Sequence, residues 1–203
     1  MSTWDDLGDD ERTSAPVVHD FQESLERSHR AEDLPFWEDV YREFFPGFVS
    51  MANHRRDGWW QRCGIDRSVV LDNSKTIRID EKVRARSAKT GKVYDDILLE
   101  HVSNDRTGAP GWVVKPLMAD YIAYAIAPLG KCYLLPVLQL QLAWRRHGDT
   151  WRRKHGDRNA QNRGYRTIST PVTVRELYAT IGAGLRCSFE PVEISDAELE
   201  AAA

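Results

Sequence analysis

Gly64-Ile65-Asp66-Arg67-Ser68-Val69-Val70-Leu71-Asp72-Asn73-Ser74-Lys75-Thr76-Ile77-Arg78-Ile79-Asp80-Glu81-Lys82 is the stretch on which the fold turns. Residues 65–71 are rich in β-formers, and Asp72-Asn73-Ser74 carries turn chemistry. From Thr76 to Arg86 apolar Ile77, Ile79, Val83 and Ala85 alternate with Arg78, Asp80, Lys82 and Arg84, the pattern of a strand with one wet face. A hairpin turning at Asp72–Ser74 sets residue 66 opposite 80, 68 opposite 78 and 70 opposite 76. Directly opposed residues share a face with Cβ atoms roughly 5 Å apart, so Asp66 meets Asp80, and Lys82, two residues on, joins them. Ile65, Val69, Leu71, Ile77 and Ile79 collect on the opposite face. A slip of one residue would bury the acids. Asp72 falls in the turn, roughly 20 Å along the ladder from Asp80, and is set aside as a partner for it.

Working outward, Phe36, Trp37, Val40, Tyr41, Phe44 and Phe45 repeat at helical spacing and Pro46-Gly47 stops the helix. A helical or irregular stretch continues to about Arg62. After the hairpin, the turn Lys89–Lys92 leads to a strand over Val93–Val102, predicted to be the third strand of an antiparallel meander. Asp120–Ala127 and Lys131–Leu135 read as two strands split by Pro128-Leu129-Gly130. Pro136 opens a helix that becomes strongly basic, Tyr165–Val174 is a strand, and Arg175–Ile181 a helix ending at Gly182. The fold class is therefore α/β (α+β), with a central sheet flanked by helices.

The 203 residues fit one domain, placed at 17–189 between a disordered acidic tail (1–16) and an acidic C-terminal tail (190–203). Apolar content of 41% and charged content of 29% are ordinary for a soluble protein, and a net charge of −3 gives no global attraction to nucleic acid. No apolar run suits a membrane span, and the polar N-terminus lacks the apolar core of a secretory signal. Cys63, Cys132 and Cys187 are far apart and odd in number, which argues against a disulfide framework or zinc knuckle and for reduced thiols in the cytoplasm.

Two carboxylates side by side repel unless a cation lies between them. A hard divalent ion such as Mg²⁺ takes oxygen ligands, polarises phosphoryl oxygens and lowers the pKa of bound water. A neighbouring lysine orients that water or stabilises charge on the phosphate. With these residues in place, Gly64-Ile65-Asp66, a hairpin and Asp80-Glu81-Lys82 resemble the D…(D/E)-x-K signature of the PD-(D/E)XK, restriction-endonuclease-like nucleases, with Gly111-Trp112…Asp120-Tyr121 adding a likeness to phage-type members. The resemblance implies a mixed sheet with an antiparallel meander, Mg²⁺ or Mn²⁺ held by Asp66 and Asp80, and assistance from Lys82. It departs from the family pattern in Ile65, where proline is usual, and in Glu81, where an apolar residue is usual. Glu100, an acid in the apolar strand Ile97–Val102, is a candidate third metal ligand, since a buried carboxylate needs a partner. An alternative frame makes Asp80 the first acid and Glu100 the second. The family's additional helix acid falls by resemblance on Glu38 or Glu43.

Gln141–Arg166 carries eight Arg/Lys and two Asp, interleaved with Trp144, Trp151 and Tyr165. That density suits a phosphate backbone and the aromatics suit bases, so Arg145, Arg146, Arg152, Arg153, Lys154 and Arg158 are the candidate nucleic-acid contacts, against the plainer reading of a solvated helix with core tryptophans. The expectation is a metal-dependent endonuclease acting on DNA, with homodimerisation expected only by analogy. The alternatives are a catalytically inactive module of the same fold that binds nucleic acid or protein, and an interaction protein with an anti-defence role.

Overall fold

In the computed structural model, residues 31–195 are described, apart from 32, 55, 56, 88 and 183. The expected N-terminal tail and residues 196–203 lie outside them. The chain runs α1 (Trp37–Phe44), β1 (Phe48–Asn53), α2 (Gly58–Arg62), β2 (Arg67–Leu71), β3 (Thr76–Arg84), β4 (Asp96–Asn104), β5 (Ala109–Pro110), β6 (Tyr121–Ile126), a 3₁₀ turn (Ala127–Leu129), β7 (Lys131–Pro136), α3 (Val137–His155), β8 (Arg158–Asn162), β9 (Tyr165–Thr173), α4 (Val174–Ile181) and β10 (Leu185–Ser188). Six strands form a mixed sheet in the order β1-β2-β3-β6-β7-β10, and four form a second sheet, β5-β4-β9-β8.

The β2–β3 hairpin has the register that its sequence dictates: Arg67 opposes Ile79, Ser68 opposes Arg78, Val69 opposes Ile77 and Val70 opposes Thr76. Parity then divides the six-stranded sheet into two faces. Val69, Ile79, Ala123, Ala125, Cys132 and Leu134 pack under α1, whose Trp37, Val40, Tyr41 and Phe44 are buried. Ile122, Tyr124, Ile126, Tyr133 and Leu135 face the second sheet and α3, and meet Ile97, Leu99, Leu140, Trp151 and Val172. The Tyr124 hydroxyl accepts from the Leu98 amide at 3.2 Å, and Arg84 pairs with Asp96 at 2.8 Å, tying the two sheets together. Ile65, expected on the α1 side, lies in the core between the sheets, because it precedes β2 rather than belonging to it.

The meander is real but is built from β1, β2 and β3, not from β2, β3 and β4. β4 belongs to the second sheet, paired with β5 and β9. The place beside β3 is taken by β6, parallel to it, with Asp80 opposite Ile122 and Lys82 opposite Tyr124. A strand buried on both faces suits that position, and β6 is buried from Ile122 to Ile126. β1 and β8 are edge strands, largely polar or exposed, and so carry no apolar alternation to announce them. Residues 190–195, expected as tail, continue from Phe189 along the α1 side: the Phe189 ring stacks on Phe36 at 4.1 Å, Val192 donates to the Ala127 carbonyl at 3.0 Å, and Arg86 pairs with Glu193 at 2.7 Å.

Beneath the hairpin, on the α1 side, lies a buried polar cluster. Arg67 grips Glu81 through Nε–Oε1 at 2.5 Å and Nη2–Oε2 at 3.2 Å, and the Tyr41 hydroxyl donates to the same Oε1 at 2.5 Å. Arg67 is 5% exposed, Glu81 7% and Tyr41 0%. Burial pushes the Glu81 carboxyl above its ordinary range against the pull of Arg67 and Tyr41. A buried charge left without its partner is far costlier than a pair replaced outright. Arg67→Met should therefore cost about 3–5 kcal/mol in urea denaturation, and Arg67→Met with Glu81→Met should recover at least about 1 kcal/mol of that loss.

Where α3 meets α4, Glu176 takes hydrogen bonds from Lys154 at 2.8 Å and His155 at 2.9 Å, and its carboxyl is held below its ordinary value. A depressed carboxyl stabilises the fold above its unfolded-state pKa and loses that contribution as pH falls through the folded value. Glu176→Gln should cost up to about 1 kcal/mol at pH 7, and the difference from the parent should vanish near pH 3 in parallel urea titrations.

Candidate functional site

The face of β3 opposite α1 carries Asp80 and Lys82. Asp66 lies immediately before β2: its amide donates to the Ile79 carbonyl at 2.9 Å, and its Oδ2 accepts from the Glu81 amide at 2.8 Å. The chain thus carries the hairpin ladder one step past β2 and fixes the Asp66 carboxylate against β3. The Asp66 carboxyl stands close enough to Asp80 to raise its pKa. Lys82 Nζ bonds Asp80 Oδ1, and reaches the Glu81 carbonyl at 3.2 Å.

Asp80 is 3% exposed. Burial and then the neighbouring Asp66 push its carboxyl up to about 7, against the pull of Lys82. Burial disfavours the Lys82 ammonium, yet Asp80, Asp66 and Glu100 outweigh it and hold its pKa well above the usual lysine value. Lys82 keeps 30% of its side-chain surface exposed, against 5% for Asp80.

Glu100 arrives from the second sheet. Burial raises its carboxyl, while Lys82 and then Lys115 draw it down, which places it within the field of the same lysine. Its other partners are the Ser103 side chain and the Trp112 amide. The backbone wraps this residue closely: Gly111 and Val113 donate to the carbonyls of His101 and Glu100, each at 3.1 Å. A Cβ on Gly111 would lie 2.3 Å from the Glu100 carbonyl oxygen and 2.7 Å from its Cγ. Gly111→Ala should therefore destabilise the fold by at least about 2 kcal/mol, measured as a lowered denaturant midpoint with unchanged slope.

Asp66, Asp80 and Lys82 are thus gathered on one face of the hairpin, with Glu100 of the second sheet in the field of Lys82; among the described residues no three acids or other ligating side chains are grouped to hold a metal ion. The neighbouring arginines of β3 are engaged elsewhere: Arg78 with Asp120 at 2.8 Å and Arg84 with Asp96. Asp72 sits in the turn, its amide on the Gly47 carbonyl. Glu38 and Glu43 do not join the site. They are exposed on α1, which covers the other face of the sheet, and Glu38 pairs with Arg42. What α1 sends to the hairpin is Tyr41.

Two paired carboxylates, one buried beside the other, form an oxygen donor set suited to a hard divalent ion. The acids already draw a cation, the Lys82 ammonium, onto Asp80. On the chemistry of their donors, Asp66 and Asp80 fit Mg²⁺ or Mn²⁺.

Reading the sequence missed residues that border this site. Lys115 lies in the irregular loop 111–118, and its carbonyl accepts from Gln141 of α3 at 2.8 Å. His54 donates its amide to the Asp66 carbonyl at 2.8 Å, stacks on Trp60 at 4.2 Å and bonds Ser68 at 2.8 Å. Irregular backbone carries no periodicity that would announce either.

The basic stretch divides between α3 and β8. Arg145, Arg146, Arg152, Arg153 and Lys154 are exposed on α3, and Arg158 is exposed on β8. Arg152 pairs with Asp157 at 3.0 Å and Lys154 with Glu176. Trp151 is core, 2% exposed, and Trp144 packs between it and His101, so these two rings serve packing.

No protein-family model, curated protein or solved structure matches this chain. Among the described residues, no helix is long and apolar enough to cross a membrane.

Proposed function

We propose that this chain is a metal-dependent nuclease of the PD-(D/E)XK type that hydrolyses phosphodiester bonds in DNA. The observation that carries the reading is Asp66, fixed by the Glu81 amide beside the buried Asp80, with Lys82 bonded to the Asp80 carboxylate. Asp66, immediately before β2, and Asp80 and Lys82 on β3 stand in a mixed sheet that contains an antiparallel meander, the kind of scaffold that the resemblance implies.

A divalent ion held by Asp66 and Asp80 would polarise a phosphoryl oxygen and acidify a water. The rest falls to the chain itself. The Glu81 amide fixes Asp66, and the Arg67–Glu81–Tyr41 cluster fixes Glu81 in turn. Lys82, held charged by three acids, suits stabilisation of negative charge on phosphate better than proton abstraction. Lys115 adds a second cation beside Glu100. Exposed arginines on α3 supply counter-charge for a phosphate backbone.

Purified protein should nick or cut plasmid, linear duplex or single-stranded DNA with Mg²⁺ or Mn²⁺ and not in EDTA. Asp80→Asn and Lys82→Met, each with an unchanged circular dichroism spectrum, should lower the rate at least about 100-fold. No cutting with either ion, with DNA binding surviving in EDTA, would replace this reading with a binding module of the same fold. Cutting undiminished in both variants would place the activity elsewhere.

A further inference from the structure

Cys132 and Cys187, far apart in sequence, stand directly opposite each other on the neighbouring antiparallel strands β7 and β10. Opposed residues in such a ladder have Cα atoms roughly 4.5 or 5.5 Å apart, depending on the kind of pair. Both values fall within the roughly 4.4–6.8 Å that a disulfide spans. Both side chains point to the same face, into the core under α1, and are 0% and 5% exposed. Each thiol stands close enough to shift the other's titration, Cys187 downward and Cys132 upward. Cys63 lies against the other core, between the sheets, and is no partner for either.

We propose that Cys132 and Cys187 form a redox-active dithiol that closes to a cross-strand disulfide under a hydroperoxide oxidant, fastening the C-terminal strand to the six-stranded sheet. The neighbouring Cys132 lowers the Cys187 thiol, while burial and then Cys187 raise that of Cys132, which favours the Cys187 thiolate, so Cys187 reacts first. Its sulfur attacks the O–O bond of hydrogen peroxide, giving a sulfenic acid and water. The Cys132 sulfur then attacks the Cys187 sulfur and expels the hydroxyl, which leaves as a second water with the Cys132 proton. Two thiols and one peroxide become one disulfide and two waters; the sulfurs lose two electrons and the peroxide gains them.

Access comes through the edge. β10 is a four-residue strand with β7 as its one neighbour in the sheet, so its opening breaks a single ladder. Gly182 and Gly184, with φ of 64° and 153°, precede it. Downstream, Phe189, Val192 and Ile194 pack against the α1 core, so a bridge at Cys187 secures the start of the segment that closes that face.

The test uses the whole chain, reduced and then exposed to hydrogen peroxide, in buffer and in urea below the unfolding transition. Free thiols are blocked with iodoacetamide after denaturation, followed by intact and tryptic mass spectrometry. One alkylated cysteine, Cys63, and a cross-linked pair of peptides, 132–145 with 187–203, are expected. The melting temperature should rise by about 5 °C in the parent and in Cys63→Ser, and not in Cys187→Ser. Alkylation of all three cysteines under both conditions, or sulfinic acid at Cys187 without the cross-link, would overturn the proposal.

Discussion

The bidentate grip of Arg67 on Glu81, completed by the Tyr41 hydroxyl, is the contact on which the rest of this structure depends. It joins β2, β3 and α1 at one buried point and permits a single pairing of the two strands. A shift of one residue would send Glu81 to the wrong face and leave Arg67 buried alone, a cost no surface contact offsets. The register so fixed brings Asp66 to Asp80 on the opposite face. The same peptide links the two sides of the sheet: the Glu81 side chain anchors below while its amide holds Asp66 above.

That arrangement has an electrostatic consequence. Asp80, buried next to another carboxyl, is pushed up against the partial correction of Lys82, while Lys82, surrounded by acids, is pushed up by them against its own burial. Crowding of this kind is unfavourable for a resting fold, and it occurs both at functional sites and in structural ion-pair networks. The pairings nearby are more conventional: Arg78 with Asp120 and Arg84 with Asp96 leave no comparable crowding of like charges.

How much of this could be read from the sequence follows from how each feature is encoded. The hairpin was legible because period-2 alternation, a turn and the parity of the acids all agree on one register. α1, β6, β7, β9 and α4 were legible through burial patterns and their turn residues. The partner of β3 was not, because pairing between strands distant in sequence leaves no local mark; the third meander strand proved to be β1, an exposed edge with no alternation. The approach of Glu100 depends on two sheets meeting, as does the loss of Trp151 to the core. The buried Arg67–Glu81 pair was half visible, since Glu81 was marked as a charge where an apolar residue is usual, while its partner needed the third dimension.

The central claim is that Asp66 and Asp80 form a divalent-cation site. Titration of Mn²⁺ into the protein, followed by loss of the free-ion electron paramagnetic resonance signal, tests it directly and without any substrate. The account predicts saturable binding that Asp80→Asn and Asp66→Asn each weaken at least about tenfold while Asp72→Asn leaves it unchanged. Binding that persists undiminished in both variants, or no binding by the folded parent, would contradict it.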